Sequence, residues 1–244
     1  MFRESLKRAA PSVVTCLSLT TGLVSIYLSA VGEVEHAAWL VVYCTFLDKA
    51  DGSLARVLKV SSPFGMEMDS FSDYTSFGLA PAALAWFSVG PGTDGVVTAW
   101  VVAAVVAYVL CAAIRLARFN TITHEDAAWF SGVPTTFAAG LLSTFLMSVF
   151  DLALGAHAAV VVPSVLVALA VLMVSPLRIP KVKLRKDLAL NLLLLIMGVT
   201  AAVLTVIRWM PAVLFLMPMG YLVVGIVAGL AARRPGEAQE NPPA

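Results

Sequence analysis

Four aspartates, Asp48, Asp51, Asp69 and Asp73, fall within 26 residues of an otherwise apolar stretch. Asp48 and Asp51 are three apart and Asp69 and Asp73 are four apart, so on helices each pair shares one face. Gly52 and Ala55 continue the first face and leave room for a ligand to lie against the backbone. Arg56 follows, with a planar fork suited to phosphate. Gly65 is expected to open the second helix, where a missing side chain permits a tight turn out of Ser61-Ser62-Pro63-Phe64. Carboxylates gathered in this way repel one another, and each ionised Asp at mid-bilayer costs about 2.5–3.5 kcal/mol on insertion scales. A divalent cation relieves both costs. An all-oxygen ligand set points to Mg²⁺, Mn²⁺ or Ca²⁺ rather than to zinc or copper. Such a metal neutralises a pyrophosphate and the charge growing on a leaving oxygen. The competing explanation is that the aspartates pair with Lys49, Arg56 and Lys59 at a wet helix end, as surface charges commonly do. It leaves the small residues on the same faces unexplained.

The elements that must carry these residues are membrane helices. Of the 244 residues 60% are hydrophobic and 13% charged, and mean hydropathy is +0.91. A soluble domain carries about 25% charged residues. A net charge of +1 gives no sign of a nucleic-acid partner. Spans need about 20 apolar residues. Eight candidates run near Val13–Val31, Ala37–Leu58, Met66–Val89, Val96–Asn120, Pro134–Phe150, Ala158–Val174, Leu188–Ile207 and Pro211–Ala231. The expected fold is an all-α, polytopic membrane bundle.

The cations divide sharply between the two sides of an eight-helix arrangement. Arg3, Lys7, Arg8, Lys49, Arg56, Lys59, Arg115, Arg118, Arg178, Lys181, Lys183, Arg185, Lys186, Arg233 and Arg234 fall on one side, and only Arg208 on the other. The positive-inside rule then puts both termini and the aspartate end of helix 2 in the cytoplasm. Residues 1–12 are expected to form an interfacial segment and 13–150 the catalytic core. Further helices follow over 151–232, and 233–244 form a polar, Pro-containing disordered tail. Cys16, Cys44 and Cys111 lie in apolar runs without metal or disulfide spacing. His36, His124 and His157 are scattered and are assigned no role; His124, beside Glu125 and Asp126, is the nearest to the basic end of helix 4.

The pattern Asp48-x-x-Asp51-Gly52-x-x-Ala55-Arg56, eight further residues, then Gly65-x-x-x-Asp69-x-x-x-Asp73 resembles the full signature of the CDP-alcohol phosphotransferase family. The resemblance implies a helical membrane enzyme, a homodimer, with two divalent ions (Mg²⁺ or Mn²⁺) held by the four aspartates. It also implies that Asp73 is the base on the acceptor hydroxyl, and that Gly52, Ala55, Arg56 and Gly65 line the cytidine diphosphate site. Pro11-Ser12-Val13-Val14-Thr15-Cys16-Leu17-Ser18 is similar to the family's segment entering helix 1. Thr15 is kept as a nucleotide contact, while Ser12 and Ser18 stand where the family usually has asparagines.

Three further stretches are similar to the phosphatidylserine synthases, a bacterial and archaeal branch of the family. They are Asp69 to Pro81, Arg115-Leu116-Ala117-Arg118-Phe119-Asn120, and Phe130-Ser131-Gly132-Val133-Pro134. Thr136 departs from them, standing where many relatives have a second proline. The branch implies CDP-diacylglycerol as donor, L-serine as acceptor and a prokaryotic cytoplasmic membrane as location. Arg115 and Arg118, one turn apart, suit the carboxylate of serine by charge-assisted bonds, with Asn120 as a further polar contact. On spacing alone the two arginines fit membrane-edge anchors equally well. The rival functions are the same chemistry on glycerol phosphate or inositol phosphate, an ion-coupled transporter using the aspartates as its path, and a catalytically dead relative.

Overall fold

The computed structural model describes residues 2–60, 62–89, 95–121, 129–151, 157–180 and 188–231. Its helices are α1 (Phe2–Ala30), α2 (Val34–Leu58), α3 (Pro63–Asp73), α4 (Ala80–Val89), α5 (Gly95–Thr121), α6 (Thr135–Asp151), α7 (Ala158–Val174), α8 (Leu188–Val206) and α9 (Pro211–Ala231). A π-helical stretch, Tyr74–Leu79, joins α3 to α4 without a break, so the described residues form helical rods where the eight apolar stretches were expected. Three of these, Ala10–Ala30, Gly95–Thr121 and Pro211–Leu230, are by themselves long and apolar enough to cross a bilayer. Their outward faces are apolar: Val102, Val106, Leu110 and Ile114 on α5, and Val223, Val224 and Val227 on α9, are all exposed. Such a surface suits lipid rather than water.

Local signals explain the helix ends. Ser62 caps α3 by accepting the Gly65 N–H at 3.0 Å, and Pro63 takes the first helical position, where its missing N–H costs nothing. Gly65 therefore lies in the first turn and does not open the helix as the sequence suggested. At the end of α2, Lys59 takes a left-handed φ of 53°, while Val60 N–H reaches Ala55 O and Lys59 N–H reaches Arg56 O. This double bond closes the helix on its own last carbonyls. α1 and α8 end in the same way, through Gly32 and Arg208. α1 itself runs unbroken from Phe2 to Ala30 through Pro11, so the expected interfacial segment is continuous with the first span.

The core lies between α2, α4, α5, α6 and α7. Trp39, Leu84, Tyr108, Leu142, Leu146, Leu166 and Met173 are fully buried there. α1 packs along α2 and against α3, the π stretch and α4; α8 leans on α9 and α2. Pro81 has no N–H for the carbonyl of Phe77 four residues back, and Tyr108 donates its hydroxyl to that oxygen at 3.1 Å.

A short antiparallel ribbon departs from the all-helical expectation. β1 (Trp129–Ser131) pairs with β2 (Arg178–Pro180) across the mouth of the bundle, with Phe130 opposite Ile179. Two arginines of α5 hold one edge, and Tyr221 of α9 donates its hydroxyl to Pro180 O at the other. Gly132 makes the turn into α6 possible. Its φ is +74°, and a β-carbon there would lie 2.4 Å from Met173 O. Gly132→Ala is therefore expected to destabilise the protein by more than about 2 kcal/mol, through backbone strain and a clash the neighbouring carbonyl cannot relieve. Thermal unfolding in detergent checks this; an unchanged midpoint would contradict the geometry.

Candidate active site

The site forms where α1, α2 and α3 converge. Asp48 and Asp51 project from α2, and Asp69 and Asp73 from α3. One carboxylate oxygen from each of Asp48, Asp51 and Asp69 lies within 4.8 Å of the others. Asp73 lies one turn along α3 from Asp69, on the same face and close to Asp48. Asp51 is the buried member, 5% exposed, and accepts the Thr15 hydroxyl at 3.0 Å on Oδ2. Among the described residues, no Lys or Arg forms an ion pair with any of the four. Lys49, Arg56 and Lys59 are not ion-paired with the cluster. Three carboxylates within one coordination sphere, without a cationic side chain among them, fit a hard divalent cation by donor chemistry and spacing.

Beside the aspartates opens a cavity of about 570 Å³. α1 lines it with Pro11, Ser12 and Thr15, α2 with Asp51, Gly52 and Ala55, and α3 with Gly65 and Asp69. Thr15, Gly52, Ala55 and Gly65, expected to bind the nucleotide, are therefore brought together with two of the carboxylates. At Gly52 nothing lies within 4 Å of where a β-carbon would be, so its small size keeps space open and is not imposed by packing.

Arg56 does not line this cavity. Five residues beyond Asp51, it lies about 140° further around the helix, and donates to Ser53 Oγ at 3.3 Å. It borders a second cavity of about 710 Å³ between α2, α6, α8 and α9. That space is mainly apolar, with Phe137, Leu141, Leu214 and Leu222 in its walls; Lys49 is its other cation. Phe130, Val133, Pro134 and Thr136, from the stretch singled out in the sequence, line it too.

Asn120 donates to Ser70 Oγ at 2.8 Å, which brings it to α3 beside Asp69. Arg115 and Arg118 serve the ribbon. Arg118 donates to Ser131 O at 3.0 Å and to Val174 O at 3.4 Å, and the buried Arg115 donates to Ser131 O at 3.4 Å. Neither lines the first cavity. His36 pairs with Glu33 on the surface and His157 is exposed; His124, Glu125 and Asp126 lie outside the described residues, as do the loop 181–187 and the tail.

Sequence reasoning overlooked Ser72 and Ser76. Both are buried, and they donate to Thr15 O at 3.2 Å and Ser18 O at 3.1 Å, fastening α3 to α1. Their spacing of four in an apolar run was the available signal.

Comparison with known proteins now decides the family. The model of the CDP-alcohol phosphatidyltransferases matches residues 8–174, which include all four aspartates and every side chain named in the first cavity. The chain belongs to the CDP-alcohol phosphatidyltransferase family. It is an enzyme of that family, a transferase of phospholipid synthesis. It is 36% identical over 223 residues to a Helicobacter pylori protein named CDP-diacylglycerol–serine O-phosphatidyltransferase, across 90% of both chains. It is 32% identical over 187 residues to an archaetidylserine synthase of Methanothermobacter thermautotrophicus, across 71% of this chain and 70% of that one. A Bacillus subtilis protein with the same name as the Helicobacter protein is 34% identical over 131 residues. The family match ends with α7, so α8 and α9 are additions to the family core.

Because the space at Gly52 is open, Gly52→Val should leave the fold intact while filling the first cavity. Nucleotide affinity, read by CMP titration, is expected to fall at least about tenfold with an unchanged unfolding midpoint; that loss corresponds to about 1.4 kcal/mol. Unchanged CMP affinity would show that the nucleotide lies elsewhere.

Proposed function

We propose that this protein transfers the phosphatidyl group of CDP-diacylglycerol to the hydroxyl of L-serine, forming phosphatidylserine and CMP. The observation that carries the reading is the convergence of the Asp48, Asp51 and Asp69 carboxylates from two helices, with no ion pair to a cation among the described residues, beside a cavity lined by Thr15, Gly52, Ala55 and Lys59. The serine half rests on the names of the relatives.

Asp48, Asp51, Asp69 and Asp73 would hold divalent metal, Mg²⁺ or Mn²⁺, which supplies charge neutralisation at the pyrophosphate. The protein's own groups do the rest. The first cavity receives the cytidine end, since Gly52 and Ala55 let a flat ligand approach the backbone of α2. Asp73 accepts the proton of the serine hydroxyl as its oxygen attacks the phosphorus bearing the diacylglycerol. The bond to the CMP phosphate oxygen breaks, and CMP leaves. Fixing donor and acceptor in line converts a two-body encounter into a positioned reaction. No covalent enzyme intermediate is required.

All eight helical rods cross the bilayer in this reading, with both termini and the aspartates on the cytoplasmic side, where nucleotide and serine are available. The enzyme acts as a homodimer. Family membership sets the transporter reading aside.

Labelled CDP-diacylglycerol offered with serine, glycerol phosphate and inositol phosphate tests the acceptor. Phosphatidylserine and CMP are expected with serine alone; product with a sugar or glycerol phosphate would overturn the serine assignment. Asp73→Asn should lower turnover by about 10²–10⁴-fold, the usual contribution of a general base. Substantial turnover in that variant, or activity indifferent to EDTA, would contradict the mechanism.

Arg115, Arg118 and Asn120 are assigned to the serine carboxylate and its surroundings. A second reading has its own observation: the arginine N–H groups already meet the carbonyls of Ser131 and Val174. Arg118→Lys separates the two. A serine KM raised at least about tenfold, with an unchanged unfolding midpoint, supports the acceptor role. A lowered midpoint with an unchanged KM makes both arginines clamps for the ribbon.

A further inference from the structure

We infer that Thr15 is a positioning residue for the carboxylate of Asp51, and that through it α1 sets the geometry of the metal-binding group. The inference rests on the metal reading of the four aspartates. It differs from the sequence expectation, in which Thr15 touches the nucleotide.

Thr15 is 4% exposed, and its hydroxyl lies 3.0 Å from Asp51 Oδ2 and 3.0 Å from Pro11 O. One hydroxyl proton serves one strong bond at a time. Pro11 O, four residues back in the same helix, is the natural acceptor of the Thr15 N–H and gains little from a second donor. The Asp51 carboxylate is buried and ionisable, and a charge-assisted bond is roughly twice as strong as a neutral one. The hydroxyl therefore belongs to Asp51. With Oδ2 held, rotation of the carboxylate is restricted, while one of its oxygens stays within 4.8 Å of carboxylate oxygens of Asp48 and Asp69.

The same turn of α1 also grips α3. Thr15 O accepts the Ser72 hydroxyl at 3.2 Å, immediately before Asp73 in the chain. One turn on, Ser18 O accepts the hydroxyl of Ser76 at 3.1 Å and the thiol of Cys44 at 3.5 Å. The approach is close: at Gly22 an added β-carbon would sit 2.7 Å from Ser76 Oγ. Thr15 thus bonds both helices that carry the aspartates, by its side chain to one and by its backbone to the other.

The test is Mn²⁺ binding to the full-length protein in detergent, followed by electron paramagnetic resonance without lipid substrate. Thr15→Val removes the hydroxyl and keeps the branched shape, and Thr15→Ser keeps the hydroxyl. Loss of a side chain that orients a metal ligand typically costs about 10–100-fold in affinity. That loss is expected for Thr15→Val, with Thr15→Ser within about threefold of the unaltered protein. If Thr15→Val fails to fold, Thr15→Ala takes its place. Wild-type Mn²⁺ affinity in the hydroxyl-free variant overturns the inference, as does failure of Thr15→Ser to restore it. Weakened CMP binding in EDTA with normal Mn²⁺ binding makes Thr15 a nucleotide contact instead. If the unaltered protein binds no Mn²⁺, the metal reading falls first and this inference with it.

Discussion

The structure depends on one electrostatic constraint: the carboxylates of Asp48, Asp51 and Asp69 meet where α1, α2 and α3 converge, with Asp73 one turn further along α3, and among the described residues no lysine or arginine pairs with them. Repulsion and desolvation both oppose that arrangement. It persists because packing away from the site fixes the helices. The buried layer of Trp39, Leu142 and Leu146 holds α2 against α6, while serine hydroxyls and a close glycine contact join α3 to α1. Packing elsewhere in the fold thus holds the three carboxylates at a spacing that a divalent cation could bridge.

Helix α2 organises the rest. Asp51, Gly52 and Ala55 line the first cavity, which also holds Lys59, and Lys49 and Arg56 line the more apolar second one. Asp48 lies on the face between them. A nucleotide-linked lipid has the same division, a polar end and an apolar end joined at a pyrophosphate. The ribbon formed by β1 and β2 closes the far wall of the second cavity, where Phe130 and Ile179 face it. Its attachments to α5 and α9 tie the family core to the two additional helices.

Much of this was legible in the sequence, for identifiable reasons. Helices announce themselves by apolar runs, and the eight stretches match the observed rods, three of which are by themselves long and apolar enough to cross a bilayer. The aspartates were legible because charge in such a run is costly and needs a purpose. Adjacency in the motif did not by itself give position in space: Arg56, next to Ala55 in the chain, borders the second cavity and not the first. The π stretch after Asp73 joins α3 to α4 without a break, so nothing in the run of residues marked it. The ribbon was missed because three-residue strands 47 residues apart leave no periodic signal. Thr15 drew notice for its motif, but its bond to Asp51 required the packing of α1 on α2.

The most direct measurement is an anomalous difference map from crystals of the full-length protein grown with Mn²⁺. The account predicts manganese among Asp48, Asp51 and Asp69, with Asp73 as a further ligand, at the edge of the cavity lined by Gly52 and Ala55. Manganese confined to other sites, or Lys49 or Lys59 swung in to pair with the aspartates, would contradict it.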